Sequence, residues 1–370
     1  MKIGILTSSR ADYGIYKNLL ELLSKDKRFD LTLIVFGMHL QSKYGNTIDM
    51  VKKDNFGTVH KVKGMPTNDS IKDISSGYGQ LIINFSNYWS LNKFDCVFAL
   101  GDRFEMSAAV QSGIPFEINF AHIHGGETTI GALDNIYRHQ ISLASKIHFT
   151  STSLFSKRVT DIVGNSKNIY NVGSLSIEKL GINKLPSWTK ICKMFSIPNI
   201  PFILVTFHPE TVGLDQNVKY VKVIKNSLNT ISKRSHVVIT QTNADASGNL
   251  YRDMALNLKK NNPKSFSLIE TFGKDNYFSA MKNCLFLLGN TSSGIIEAAS
   301  FNKYVINVGD RQKGRLRSEN VIDVSFNQME IIDSSFDLLN KGEFDGNNIY
   351  KKENTSLQMI NKIQKFITHD

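Results

Sequence analysis

The chain switches repeatedly between two apolar periodicities, and this alternation limits its folds more than any single motif does. Short apolar runs of strand length end in polar turns, and each turn leads into a stretch with helical apolar spacing. In the first half the runs are Lys2–Leu6, Leu31–Phe36, Val59–Val62, Cys96–Leu100, Ile118–Ile123, Ile147–Phe149 and Ile169–Val172. Leu185-Pro186-Ser187-Trp188 reads as a crossing, after which the pattern restarts. The second set is Phe202–Phe207, Val237–Thr240, Ser267–Ile269, Cys284–Leu288, Tyr304–Val308 and Val321–Val324. Strands joined through helices run parallel, and near-continuous apolar runs are buried on both faces, so an α/β architecture is expected. A length of 370 residues fits two such domains. We expect one over 1–180 and one over 181–350, facing a central cleft. In 351–370 a terminal helix, Asn354–Ile367, is expected to pack back on the first.

Ligands in open α/β sheets gather beyond the carboxyl ends of the strands, so the polar residues there matter most. The first run leads into Thr7-Ser8-Ser9-Arg10, which lacks the spaced glycines of a dinucleotide fingerprint. Others deliver Gly37-Met38-His39, Gly101-Asp102-Arg103, His124-Gly125-Gly126-Glu127, His208-Pro209-Glu210-Thr211 and Gln241-Thr242-Asn243. Asp134 and Arg138 lie four apart at an expected helix start, a spacing that also suits an ordinary surface ion pair. The fullest set runs from Leu288 to Arg315. There Gly289-Asn290-Thr291-Ser292-Ser293-Gly294 separates an apolar run from a short helix expected to begin near Ile295. Backbone N–H groups and the hydroxyls of Thr291, Ser292 and Ser293 suit an anion, and Arg311 or Arg315 suits a clamp on it. Glu297 has only acceptors when ionised, which suits a ribose diol rather than phosphate. A capped helix after a core strand, with surface arginines, fits the same residues.

The net charge of +11 favours an anionic ligand, but no basic run interleaves with aromatics as a nucleic-acid groove requires. No apolar stretch is long enough for a membrane span, and the first residues do not form a signal peptide. Cys96, Cys192 and Cys284 lie far apart with no metal-ligand spacing, as expected of buried thiols in a cytoplasmic protein.

Seven segments occurring in order carry a resemblance: SSRADYG at 8–14, GMH at 37–39, GDR at 101–103, HIHGGE at 122–127, HPET at 208–211, GNTSSG at 289–294 and GDRQKGR at 309–315. Together they resemble the UDP-N-acetylglucosamine 2-epimerases, in particular the hydrolysing branch of sialic-acid pathways. The resemblance covers nearly the whole chain. It implies two Rossmann-like domains of glycosyltransferase-B type, and a dimer or tetramer. It also implies UDP bound by Arg10, Asn243, Thr291, Ser292, Ser293, Glu297 and Arg311. Asp102, Asp134 and Arg138 match positions around the reacting sugar, and His208 matches one at the lip of the cleft. Many relatives have an acid where this chain has His124, so the acid's role does not carry over. Glu127 is read as support for its loop.

The implied chemistry loosens the C1–O bond to UDP first, which acidifies the C2 proton. Loss of UDP and that proton gives a 2-acetamidoglucal, and water addition gives N-acetylmannosamine. Asp102 or Asp134 would act as base, and His208 or His124 would protonate or position the partner group. No metal or redox cofactor is required. A sugar modified at C4 and C6, UDP-2,4-diacetamido-2,4,6-trideoxyglucose, is an alternative substrate. A UDP-sugar-dependent glycosyltransferase would need an acceptor groove, and a regulator without turnover would not need Asp102, Asp134 and His208 together.

Overall fold

The structure, a computed structural model, describes residues 1–42, 47–65, 70–128, 133–178, 185–210, 214–241 and 248–369. The chain divides into two compact units, one made of Met1–Glu127, Leu133–Glu178 and Tyr350–Asp370, the other mainly of Lys179–Ile349. Strands of the first are β1 (Lys2–Thr7), β2 (Asp30–Val35), β3 (Thr58–Lys61), β4 (Cys96–Leu100), β5 (Phe120–Ile123), β6 (Ile147–Thr150) and β7 (Ile169–Asn171). Its helices are α1 (Arg10–Lys25), α2 (Ile48–Asp54), α3 (Ile71–Leu91), α4 (Phe104–Gln111), α5 (Asp134–Ala144) and α6 (Ser153–Val163). The second has α7 (Trp188–Phe195), β8 (Phe202–Thr206), α8 (Asn217–Ile231), β9 (His236–Thr240), α9 (Gly248–Asn261), β10 (Phe266–Ile269) and α10 (Lys274–Asn283). It continues through β11 (Leu287–Gly289), α11 (Ser292–Ile296), β12 (Val305–Val308), β13 (Val321–Val324) and α12 (Gln328–Leu339). Last comes α13 (Thr355–His369), in the first unit.

Among the described residues the sheet orders are β3-β2-β1-β4-β5-β6-β7 and β10-β9-β8-β11-β12-β13, with every pairing parallel. Strand order reverses between β1 and β4 in one sheet and between β8 and β11 in the other. Loops leaving these strands in opposite directions open a crevice at their carboxyl ends. Gly289 permits the second such junction. It pairs with Thr206 at φ +152°, and a Cβ there would lie 1.9 Å from the Thr206 carbonyl oxygen.

Apolar helix faces cover both sides of each sheet. In the first unit Leu19, Leu20 and Leu23 of α1 share a buried cluster with Ile3, Ile5 and Leu33, and Met359, Ile360 and Ile363 of α13 complete it. On the opposite face Leu81, Phe85 and Trp89 of α3 pack with Val97 and Phe120. In the second unit Trp188 of α7 stacks on Phe202 at 4.5 Å, so the Leu185–Trp188 crossing is already part of that unit's packing.

Two local expectations change. The apolar run Cys284–Leu288 is not all strand. Cys284 caps α10 and β11 spans only Leu287–Gly289, because the buried run must first turn out of the helix. The helix expected near Ile295 starts at Ser292, with Thr291 capping it through a bond from the Ser293 N–H.

Candidate active site

In the first unit the turns after β4 and β5 and the start of α5 bring one polar cluster together. Arg138 is buried, and its two terminal nitrogens diverge. Nη2 pairs with the Asp102 carboxylate, and Nη1 donates to the His124 carbonyl at 2.5 Å. Asp134 lies on the same face of α5, but the guanidinium bonds to Asp102 and the His124 carbonyl instead. Its side chain is exposed, yet surrounding protein and then the Asp102 charge push its carboxyl above the ordinary range. Glu105 is a further carboxylate nearby, buried at the start of α4, with Oε1 accepting from Arg103 Nε at 2.6 Å.

His124 sits in the left-handed region at φ +66°, which turns the chain sharply out of β5. Gly126 follows at φ +78°, where a Cβ would meet the Phe155 carbonyl oxygen at 2.4 Å. This turn folds Glu127 back, so that its Oε1 binds His124 Nδ1 at 2.6 Å and the Ser151 hydroxyl at 2.9 Å. His124 is 8% exposed, and its Nε2 has no hydrogen-bond partner among the described residues. A carboxylate fixing one imidazole nitrogen while the other stays unpaired is the arrangement that proton transfer requires. Glu127, read from sequence as loop support, thus bears directly on His124. The signal for it was its i+3 spacing from that histidine.

Arg10 is exposed at the start of α1. The amides beside it are already used. Asp12 accepts from the Ser8, Ser9 and Tyr13 N–H groups at 2.7, 2.9 and 2.7 Å, filling this helix end with the chain's own carboxylate.

In the second unit the turns after β8, β11 and β12 interlock. His208 is 7% exposed, and burial, with the charge of Arg311 adding, pushes its imidazole down to about 3, so the ring is neutral near pH 7. Arg311 donates through Nη1 to the Asn290 carbonyl at 3.3 Å, and its backbone N–H binds Glu210 Oε1 at 3.1 Å. The hydroxyls after β11 have local partners: Ser293 Oγ meets Tyr277 Oη at 2.8 Å and Thr291 Oγ1 at 3.2 Å. The helix end expected to attract an anion belongs to a helix of only five residues, so its dipole is small and the hydroxyls and Arg311 matter more. Glu297 is buried at the carboxyl end of this helix.

The structure therefore gathers Asp102, His124, Asp134 and Arg138 in the first unit, and His208, Thr291, Ser292, Ser293, Glu297 and Arg311 in the second. Asn243 and Thr211 lie outside the described residues. Among the described residues no group of three or more His, Cys, Asp or Glu is placed to hold a metal, and no helix is long and apolar enough to cross a membrane.

A family model described as UDP-N-acetylglucosamine 2-epimerase matches residues 21–364. The GDP/UDP-N,N'-diacetylbacillosamine 2-epimerase (hydrolyzing) of Campylobacter jejuni is 32% identical over 349 residues, covering 94% of this chain and 89% of that protein. Polysialic acid biosynthesis protein P7 of Escherichia coli is 30% identical over 371 residues, covering 99% and 94% respectively. Among solved structures, the UDP-GlcNAc 2-epimerase of Neisseria meningitidis bound to UDP-GlcNAc superimposes with a TM-score of 0.82 at 19% identity, covering 99% of this chain and all of that one. At that identity the superposition speaks for the fold, while the family match and the two relatives speak for descent. The chain belongs to the UDP-N-acetylglucosamine 2-epimerase family.

Proposed function

We propose that this chain is a hydrolysing 2-epimerase converting UDP-N-acetylglucosamine to N-acetylmannosamine and UDP. The observation that carries the reading is the His124–Glu127 pair, its Nε2 unpartnered among the described residues, on the same guanidinium that binds Asp102.

The C1–O bond breaks and its electron pair leaves with UDP, so C1 becomes oxocarbenium-like and the C2 proton acidic. A base removes that proton, its electrons close the C1–C2 double bond, and 2-acetamidoglucal results. Water then adds its oxygen to C1, and a proton returns to C2 from the opposite face, which inverts that centre. Two proton-handling groups are thus needed. Asp102, oriented by Arg138, is assigned as base. His124, oriented by Glu127, exchanges the second proton, and Asp134, with its raised carboxyl, assists. Arg311 stabilises the departing diphosphate, and the resemblance adds Arg10, an electrostatic effect worth about 3 kcal/mol per well-placed donor. Thr291, Ser292, Ser293 and Glu297 hold the nucleotide, as does Asn243 by resemblance. Neutral His208 donates a hydrogen bond to the diphosphate. The product would be the sugar that enters sialic-acid synthesis, in keeping with the name of the Escherichia coli relative.

The name of the Campylobacter jejuni relative favours a second reading: the same reaction on UDP-2,4-diacetamido-2,4,6-trideoxyglucose. Incubation with each UDP-sugar, followed by NMR, separates the two. Free N-acetylmannosamine and UDP support the first reading, and turnover of the diacetamido sugar alone supports the second. A surviving UDP-N-acetylmannosamine would sink hydrolysis, and no change in either substrate would sink both readings.

A further inference from the structure

Two fully buried asparagines grip the turn after β8 in the same way. Asn290 Oδ1 accepts from the His208 N–H at 2.7 Å, and its Nδ2 donates to the His208 carbonyl at 2.9 Å. Asn217 Oδ1 accepts from the Glu210 N–H at 3.0 Å, and its Nδ2 donates to the Glu210 carbonyl at 3.0 Å. Pro209, between them, has no N–H to satisfy. Exchanging oxygen and nitrogen in either amide would break both of its bonds, so each orientation is fixed by the pattern.

An amide that pairs with both backbone groups of one residue reproduces a rung of a β-ladder. The turn is therefore held as though the sheet continued past the last residue of β8. The grip extends to Arg311, because Glu210 Oε1 accepts the Arg311 N–H at 3.1 Å. The Asn290 carbonyl takes Arg311 Nη1 at 3.3 Å and Gln312 Nε2 at 2.9 Å. Tyr251 Oη, donating to Asn217 Oδ1 at 2.8 Å, braces the outer asparagine.

We propose that Asn290 and Asn217 are positioning residues for the reaction: Asn290 fixes the imidazole of His208, and Asn217, through Glu210, fixes Arg311. The proposal rests on the roles given above to His208 and Arg311. Loops that carry reacting groups are free to drift unless pinned, and a displacement of about 1 Å costs on the order of 100-fold in rate. Satisfying buried backbone groups is the plainer role for these amides, and it predicts lost stability without a specific kinetic signature.

The test uses N290D and N217D in the full chain. Aspartate keeps the acceptor toward the N–H but sets a carboxylate oxygen against the carbonyl, so each pair loses one bond. N290D is expected to lower kcat roughly 10- to 100-fold with little change in KM, because the rigid placement of His208 is lost. N217D is expected to raise KM for the UDP-sugar roughly 10-fold with a smaller change in kcat, because Arg311 is loosened. Equal effects of both variants on kcat and KM would overturn the proposal.

NMR titration of the His208 ring in 15N-histidine-labelled protein gives a readout independent of turnover. The titration is read in Asn290→Ser, because a carboxylate at 290 would raise the midpoint by its charge alone. In Asn290→Ser the midpoint should rise toward the ordinary imidazole range as the ring leaves its buried place, and an unchanged midpoint would overturn the assignment. Normal turnover in His208→Ala would instead overturn the role of His208 itself. Impaired His208→Ala beside unimpaired N290D would overturn the positioning alone.

Discussion

The Asp102–Arg138 pair permits a prediction that can be worked through. Arg138 has 5% of its side chain exposed and Asp102 26%. Two unit charges about 4 Å apart in a medium of effective dielectric about 20 attract by about 4 kcal/mol. Partial solvation of Asp102 reduces that to about 3 kcal/mol. Arg138→Met keeps the apolar stem but removes this attraction and the bond to the His124 carbonyl. It also removes the cost of burying the guanidinium, leaving a net loss of about 3 kcal/mol. Asp102→Asn strands the buried arginine and should cost a similar amount, about 3 kcal/mol. The double variant strands nothing, so it should cost about 3 rather than about 6 kcal/mol. At roughly 2–4 °C per kcal/mol for a unit of this size, each single change should lower Tm by about 6–12 °C. Urea unfolding of the four proteins checks the cycle, and losses that add within about 0.5 kcal/mol would refute the pairing argument. The same proteins test the chemistry. Asp102→Asn should abolish turnover while UDP still binds, and near-normal turnover would remove Asp102 from the mechanism.

Other outcomes follow from the same geometry. Glu127→Gln removes the charge behind His124 and should lower kcat on the order of 100-fold or more with UDP affinity unchanged; a loss under about three-fold would separate Glu127 from the reaction. Burial lowers His122 and His208 to about 3 and His148 to about 4, whereas the unfolded rings titrate near 6.5. The unfolded chain therefore binds more protons below pH 6.5, so stability should fall as pH drops from 6.5 towards 4, by up to about 3 kcal/mol per ring. Thermal scans of His148→Asn should show a shallower decline than the parent, and an identical slope would count against that accounting. Arg311→Ala should weaken UDP binding roughly 10- to 100-fold by calorimetry, and an unchanged Kd would refute the phosphate clamp. Gly289→Ala should cost about 3 kcal/mol or more, since its Cβ would strike the Thr206 carbonyl; a thermal midpoint equal to the parent's would refute that contact.

Much of the architecture was legible from the chain alone, because helix and strand are written as different apolar periods over short windows. The run Cys96–Leu100 became β4 without adjustment. The run Cys284–Leu288 was misread over its first residues because a buried helix exit and a buried strand are equally apolar.

Strand ends, the Asp134/Arg138 spacing and the family resemblance brought Asp102, His124, Asp134 and Arg138 to notice, but not their pairing. By spacing, Arg138 had Asp134 four residues away. In the fold its partner is Asp102, 36 residues away, because β4, β5 and α5 pack side by side and place that carboxylate at the buried end of the guanidinium. Likewise, no local pattern announces that Asn290 closes on His208 across 82 residues. Local sequence determined which segments are helices or strands and which residue types stand at their ends. Which polar groups are buried against one another was decided by the parallel sheet order, since a side chain's partner depends on which strands become neighbours and not on its place in the chain.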